Sequence, residues 1–162
     1  YMEDYDNLDE FLNDAPTKAK DPLEDMCAKH SKTRATISNE IRESIDLMRT
    51  GMTGLKEVQV KMLSMRQRLL EDSHILIENL SSVKKAYRNA RSKQMEDLST
   101  NMQQRYQYNE KTVIIDGKTA SIKEVVDTLE NQISFFVDSI KTVDNVLFGI
   151  KTRVEIEKTL GM

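Results

Sequence analysis

The chain has no tryptophan, one cysteine, two prolines and five glycines in 162 residues, and only 6% of it is aromatic. Each shortage excludes something. Cys27 alone cannot form an internal disulfide, so the chain is no disulfide-stapled scaffold, and a reducing setting is expected. His30 and His74 are the only histidines. Cys27 and His30, three residues apart, supply two ligands where a closed zinc site needs four, so neither a metal nor another cofactor is expected. There is no glycine-rich phosphate loop, nucleophile elbow or paired zincin histidines. Carboxylates are plentiful, but none sits in an apolar stretch that would raise its pKa for general acid work. The chain therefore reads as a protein that is not an enzyme. No apolar run approaches the ~18–20 residues of a membrane span, so no membrane role is expected.

Charge and helical periodicity are what the sequence does have. Charged residues make up 31% of it, and the net charge is -3. Residues 1–30 hold nine acids against three bases, which leaves the remainder at about +3. This first segment, with Pro16 and Pro22, reads as an acidic, weakly structured arm. Within it Tyr5, Leu8, Phe11 and Leu12 form a candidate docking motif for a partner, the alternative being a solvated tail.

Residues 31–162 read as an all-α, coiled-coil-forming domain. Ile37, Ile41, Ile45 and Met48 recur at three- and four-residue steps. Gly51 and Gly54 mark a break. Leu55, Val58, Met62, Met65 and Leu69 then step 3-4-3-4, the seam of a coiled coil. Asp72 takes the next seam position before Leu76, Leu80, Val83 and Tyr87 resume. Met62 and Met65 read as flexible core filler, or as an adaptable surface for a partner helix. Residues 111–120 read as a small β-hairpin, with β-branched residues before Asp116-Gly117, the pair favoured in a type I′ turn. Ser121 and Glu124 have capping-box spacing, so a second long helix is expected there, folding back antiparallel on the first. Seams of this kind call for a cover, so a homo-oligomer is expected.

One stretch carries candidate binding chemistry. Between 84 and 118 the chain holds eight bases and four acids. Lys84, Lys85, Arg88, Arg91 and Lys93 recur at short helical steps, and Arg105, Tyr106, Tyr108 and Lys111 follow. Spaced cations can track a phosphate backbone, and tyrosines can stack on bases without reading sequence. The same lysines and arginines can equally pair with acids of a neighbouring helix.

The segment Phe135-Phe136-x-x-x-Ile140-x-x-Val143, running on to Phe148-x-Ile150-Lys151, resembles the end of the T4-type bacteriophage recombination mediators. The resemblance covers about residues 122–161, with looser similarity through the basic stretch. It implies a small helical protein that assembles with copies of itself and binds single-stranded DNA. It also implies that the protein helps load a RecA-like recombinase against a single-strand binding protein, in the host cytoplasm if phage-encoded. The family's Lys-x-Arg element and tyrosine pair find their nearest matches in Arg91-Ser-Lys93 and Arg105-Tyr106-x-Tyr108. Here the base order is reversed and Gln107 splits the tyrosines. The competing expectation is a structural or scaffolding coiled coil of a virion or secretion assembly, with no nucleic-acid role.

Overall fold

The computed structural model describes residues 21–100 and 106–161. Among these it contains four α-helices and no strand: α1 (Pro22–Leu47), α2 (Met52–Thr100), α3 (Tyr108–Lys118) and α4 (Ala120–Thr159). A 3-10 turn at Met48–Thr50 joins α1 to α2. The all-α expectation holds; the β-hairpin does not.

Helix α1 starts well before the expected boundary at Ser31. Asp21 caps it, its side chain accepting the Leu23 N–H at 3.0 Å, and Pro22 occupies the first turn with Glu24 and Asp25. Proline has no amide to lose there, and the acids complement the positive helix end. Pro22 therefore opens a helix inside the segment expected to be weakly structured. The break at the other end falls where expected. Gly51 has a φ of 98°, the left-handed region glycine tolerates.

The chain forms two compact bodies. The first comprises residues 21–75 and 132–161 and so contains α1, the first half of α2 and the last part of α4. Arg68 pairs with Glu40 at 2.8 Å and Lys61 with Glu43 at 3.9 Å, which sets α1 and α2 antiparallel. The Arg34 Nε donates to Gln132 Oε1 at 2.7 Å and the Arg153 Nη1 to the Met48 carbonyl at 2.7 Å, so α1 and α4 run parallel. The expected seam is buried: Leu55, Val58, Met62, Met65 and Leu69 face inward, with Phe136, Val143 and Ile150 from α4 and Ile37 and Ile41 from α1. Ile45 is instead 42% exposed, because Ser44 takes the inward step and bonds back to the Glu40 carbonyl. Ser73 likewise turns inward after Leu69, while Asp72 is half-buried. Burial, the largest influence, raises the Asp72 pKa; Arg68 opposes it and Glu71 adds to it.

The second body, Leu76–Asn131, contains the rest of α2, all of α3 and the start of α4. Its core is Leu76, Val83, Ile115, Ile122, Val125, Val126 and Leu129. The segment expected as a hairpin is helical. At its start the Gln107 N–H donates to Glu110 Oε2 at 2.8 Å, and the Gln107 side chain reciprocates toward the third residue of α3. Ile115, Thr119 and Ile122 then fall on one helical line, all buried. Thr119 carries the line across the α3–α4 junction because its hydroxyl donates to the Ile115 carbonyl at 2.8 Å. An alternating strand could not bury these three together. Only Gly51 and Gly161 have positive φ among the described residues, so Asp116-Gly117 makes no type I′ turn.

Candidate nucleic-acid interface

The basic stretch of α2 divides into two groups of side chains. Lys84 Nζ lies 2.6 Å from Glu130 Oε1. Arg91 pairs with Asp116, donates to the Tyr87 hydroxyl at 3.1 Å and stacks its guanidinium 5.6 Å above that ring. The hydrogen bond to Asp116, followed by the one to Tyr87, raises the Arg91 pKa further above its ordinary value. Lys111 Nζ reaches Ser99 Oγ at 3.2 Å. Three of the candidate bases are therefore engaged by groups of the same body. Lys118, bonded to Gln94 at 2.9 Å, extends that ladder.

Lys85, Arg88 and Lys93 are exposed and form no ion pair with another described residue. At about 100° per residue, Lys85 projects about 60° from Arg88 and about 80° from Lys93, so the three share one broad arc of α2. Tyr106 is half-buried, while Tyr108, in the first turn of α3, is 74% exposed. Arg105 lies outside the described residues, as do Tyr5, Leu8, Phe11 and Leu12.

Sequence reading missed Glu130, Asp116, Gln94 and Ser99, the groups that hold the inner bases. No local signal could have found them: Glu130 and Asp116 meet α2, and Gln94 and Ser99 of α2 meet Lys118 and Lys111, only in the register set by the helical connector.

Other chemistry is sparse among the described residues. No group of three or more His, Cys, Asp or Glu side chains is arranged to hold a metal ion. His30 is 4% exposed, and its Nδ1 lacks a hydrogen-bond partner. Burial, and secondarily Arg34, lower its pKa. No described helix is long and apolar enough to cross a membrane. Of the family-like segment, Phe136, Val143 and Ile150 point into the core and Phe148 is 70% exposed. In comparison with known proteins, no family model, curated protein or solved structure matches the chain.

Proposed function

We propose that this chain is a non-catalytic, homo-oligomeric recombination mediator that binds single-stranded DNA without reading its sequence. The observation behind this is the set of three unpaired, outward cations on α2, namely Lys85, Arg88 and Lys93. Tyr108, exposed in the same body, is available to stack on a base. The likeness of residues 122–161 to phage mediators supplies the biological role: assisting a RecA-like recombinase against a single-strand binding protein, in the cytoplasm of the host. Under this reading the acidic arm, through Tyr5, Leu8, Phe11 and Leu12, docks one of those two proteins. Several copies would line up weak sites and bind collectively tightly.

Fluorescence anisotropy with labelled oligonucleotides across a salt series tests it. Log affinity should fall with log salt by about 0.7 for each phosphate neutralised. Replacing Lys85, Arg88 and Lys93 with alanine removes up to three such contacts and should flatten the slope by about 2. Lys84→Ala should change stability more than slope, because its partner is Glu130. Absence of binding by the unmodified protein at low salt would end this proposal. A scaffolding coiled coil would then take its place, a reading favoured by the in-chain pairing of Lys84 and Arg91 with acids.

A further inference from the structure

Residues 81–95 of α2 hold five bases and no acid. Lys84 and Arg91 are neutralised by Glu130 and Asp116, which leaves Lys85, Arg88 and Lys93 exposed and unpaired with any described residue. Like charges held together on one arc favour an anionic partner long enough to span them.

The chain itself contains such an anion. Residues 1–17, outside the described residues, hold six acids and no base: Glu3, Asp4, Asp6, Asp9, Glu10 and Asp14. The bases that follow on α1 offer no comparable site. Arg34 is held by Gln132 and stacked on Phe135, and Lys29 is not free, which leaves Lys32 as a single charge.

Helix lengths bound the reach. Glu40 of α1 pairs with Arg68 of the antiparallel α2, so Pro22 and Ile75 lie toward the same end of the first body. At 1.5 Å per residue they stand about 27 Å and about 10 Å beyond that ion pair, hence within about 25 Å of each other. Because α2 is one continuous helix, Lys85 is at most about 15 Å from Ile75 and Lys93 at most about 27 Å. The start of α1 is thereby within about 40 Å of Lys85 and about 52 Å of Lys93. The 13 residues from Pro22 back to Asp9 can span about 43 Å, and the 18 back to Asp4 about 59 Å. The arm is long enough to lay acids on all three cations.

We propose that the acidic segment 1–17 rests on Lys85, Arg88 and Lys93 of its own chain, and that it must leave before a phosphate backbone can take its place. Leu8, Phe11 and Leu12 lie among the same acids. A protein that captures them draws the acids off the cations, so capture of the arm and exposure of the cations become one event. The contact itself needs no DNA; its gating of DNA rests on the function proposed above.

Spin labels on the full chain, in a Cys27→Ser background, test the contact without DNA. One sits in the arm at Asn7→Cys and the other at Ser92→Cys, an exposed position on the same arc. At low salt the pair should give a short, narrow distance population. A longer, broader one should replace it at about 1 M salt, where charges are screened beyond about 3 Å. Replacing Lys85, Arg88 and Lys93 together with alanine should do the same at low salt. Helicity by circular dichroism should hold, since none of the three pairs with a described residue. Excess unlabelled chain should leave the short population in place. A distance indifferent to either salt or the triple substitution would overturn the proposal. Loss of the short population on mixing would also overturn it, by putting the arm on a neighbouring copy. Oligonucleotide anisotropy reads the gating: replacing the six acids with their amides should tighten binding at least about fivefold, and should have no effect in the triple-alanine background. Equal tightening in both backgrounds would mean general repulsion of DNA and would overturn the gating. A salt-sensitive short distance in a chain that binds no DNA would refute the DNA reading alone; DNA binding with an indifferent distance would refute the arm contact alone.

Discussion

Alanine at Gly54 and alanine at Gly117 should shift stability in opposite directions, although both glycines lie inside helices. Replacing a helical glycine with alanine normally gains about 0.8–1 kcal/mol, through the conformational freedom that the unfolded chain loses. Gly117 should show most of that gain. Its φ is not positive, and a Cβ there meets nothing within 4 Å. It lies one residue from the end of α3, where helical order frays, so a stabilisation of about 0.5–1 kcal/mol is expected. At Gly54 a Cβ would lie 2.5 Å from the Leu47 carbonyl oxygen and closer still to Thr50 Oγ1. The Thr50 hydroxyl donates to that same carbonyl at 2.8 Å, so the added atom pushes on both ends of a hydrogen bond and on backbone that cannot rotate away. Overpacking of this kind costs about 1–3 kcal/mol, which outweighs the propensity gain and leaves a net loss on the order of 1 kcal/mol. Urea unfolding followed by circular dichroism at constant m-value reads both shifts. A type I′ turn at Asp116-Gly117 would make Gly117→Ala destabilising, because alanine resists positive φ. If Gly117→Ala lowers the midpoint, the helical connector is wrong; if Gly54→Ala raises it, so is the tight α1–α2 turn.

Other perturbations address the core and its ionisable groups. Leu69→Ala, at a fully buried seam position, should cost about 2–5 kcal/mol, whereas exposed Gln67→Ala should stay within about 0.5 kcal/mol. Equal effects in urea titrations would mean that the seam is not where the core lies. Folded His30 titrates below its ordinary value of 6.5, so the unfolded chain takes up the proton first as pH falls. Its contribution is fully present above about pH 6.5 and is lost below it, and His30→Gln should flatten the dependence of unfolding midpoint on pH in that window. A slope unchanged by the substitution would contradict the burial of His30. Burial raises the Asp72 pKa, so its ionised form opposes folding at neutral pH, and Asp72→Asn should not lower the urea midpoint at pH 7. A marked fall would mean that the carboxylate has a favourable partner.

The seam of α2 was legible because five apolar residues in strict 3-4 steps leave no other period to choose. The long C-terminal helix was legible for the same reason. Ser44 and Ser73 were not, because a serine that satisfies its own hydroxyl by bonding back along the helix can enter a core while looking polar in sequence. Thr119 hid α3 in the same way: without it, Ile115 and Ile122 do not read as one line, and the β-branched run with Asp116-Gly117 dominates. Gln107 is an uncommon cap, so nothing announced the start of α3. In the candidate interface the positions of the bases were visible, but which of them faced acids was not. Lys84 and Glu130 are 46 residues apart, and their meeting depends on the whole connector.

The first body is assembled from two pieces of chain separated by everything between 76 and 131. As the chain leaves a ribosome, α1 and the start of α2 emerge early, with Leu55, Val58, Met62, Met65 and Leu69 bared on one side. The part of their cover that α4 supplies, Phe136, Val143 and Ile150, is made last. Helix α1 also has no cation in its own final turn and borrows Arg153, whose guanidinium reaches the Met48 carbonyl across 105 residues. The nascent chain must therefore carry an open apolar seam through much of its synthesis, the condition in which chains aggregate or recruit chaperones. A message truncated before residue 132 would leave the α4 side of that seam uncovered for good.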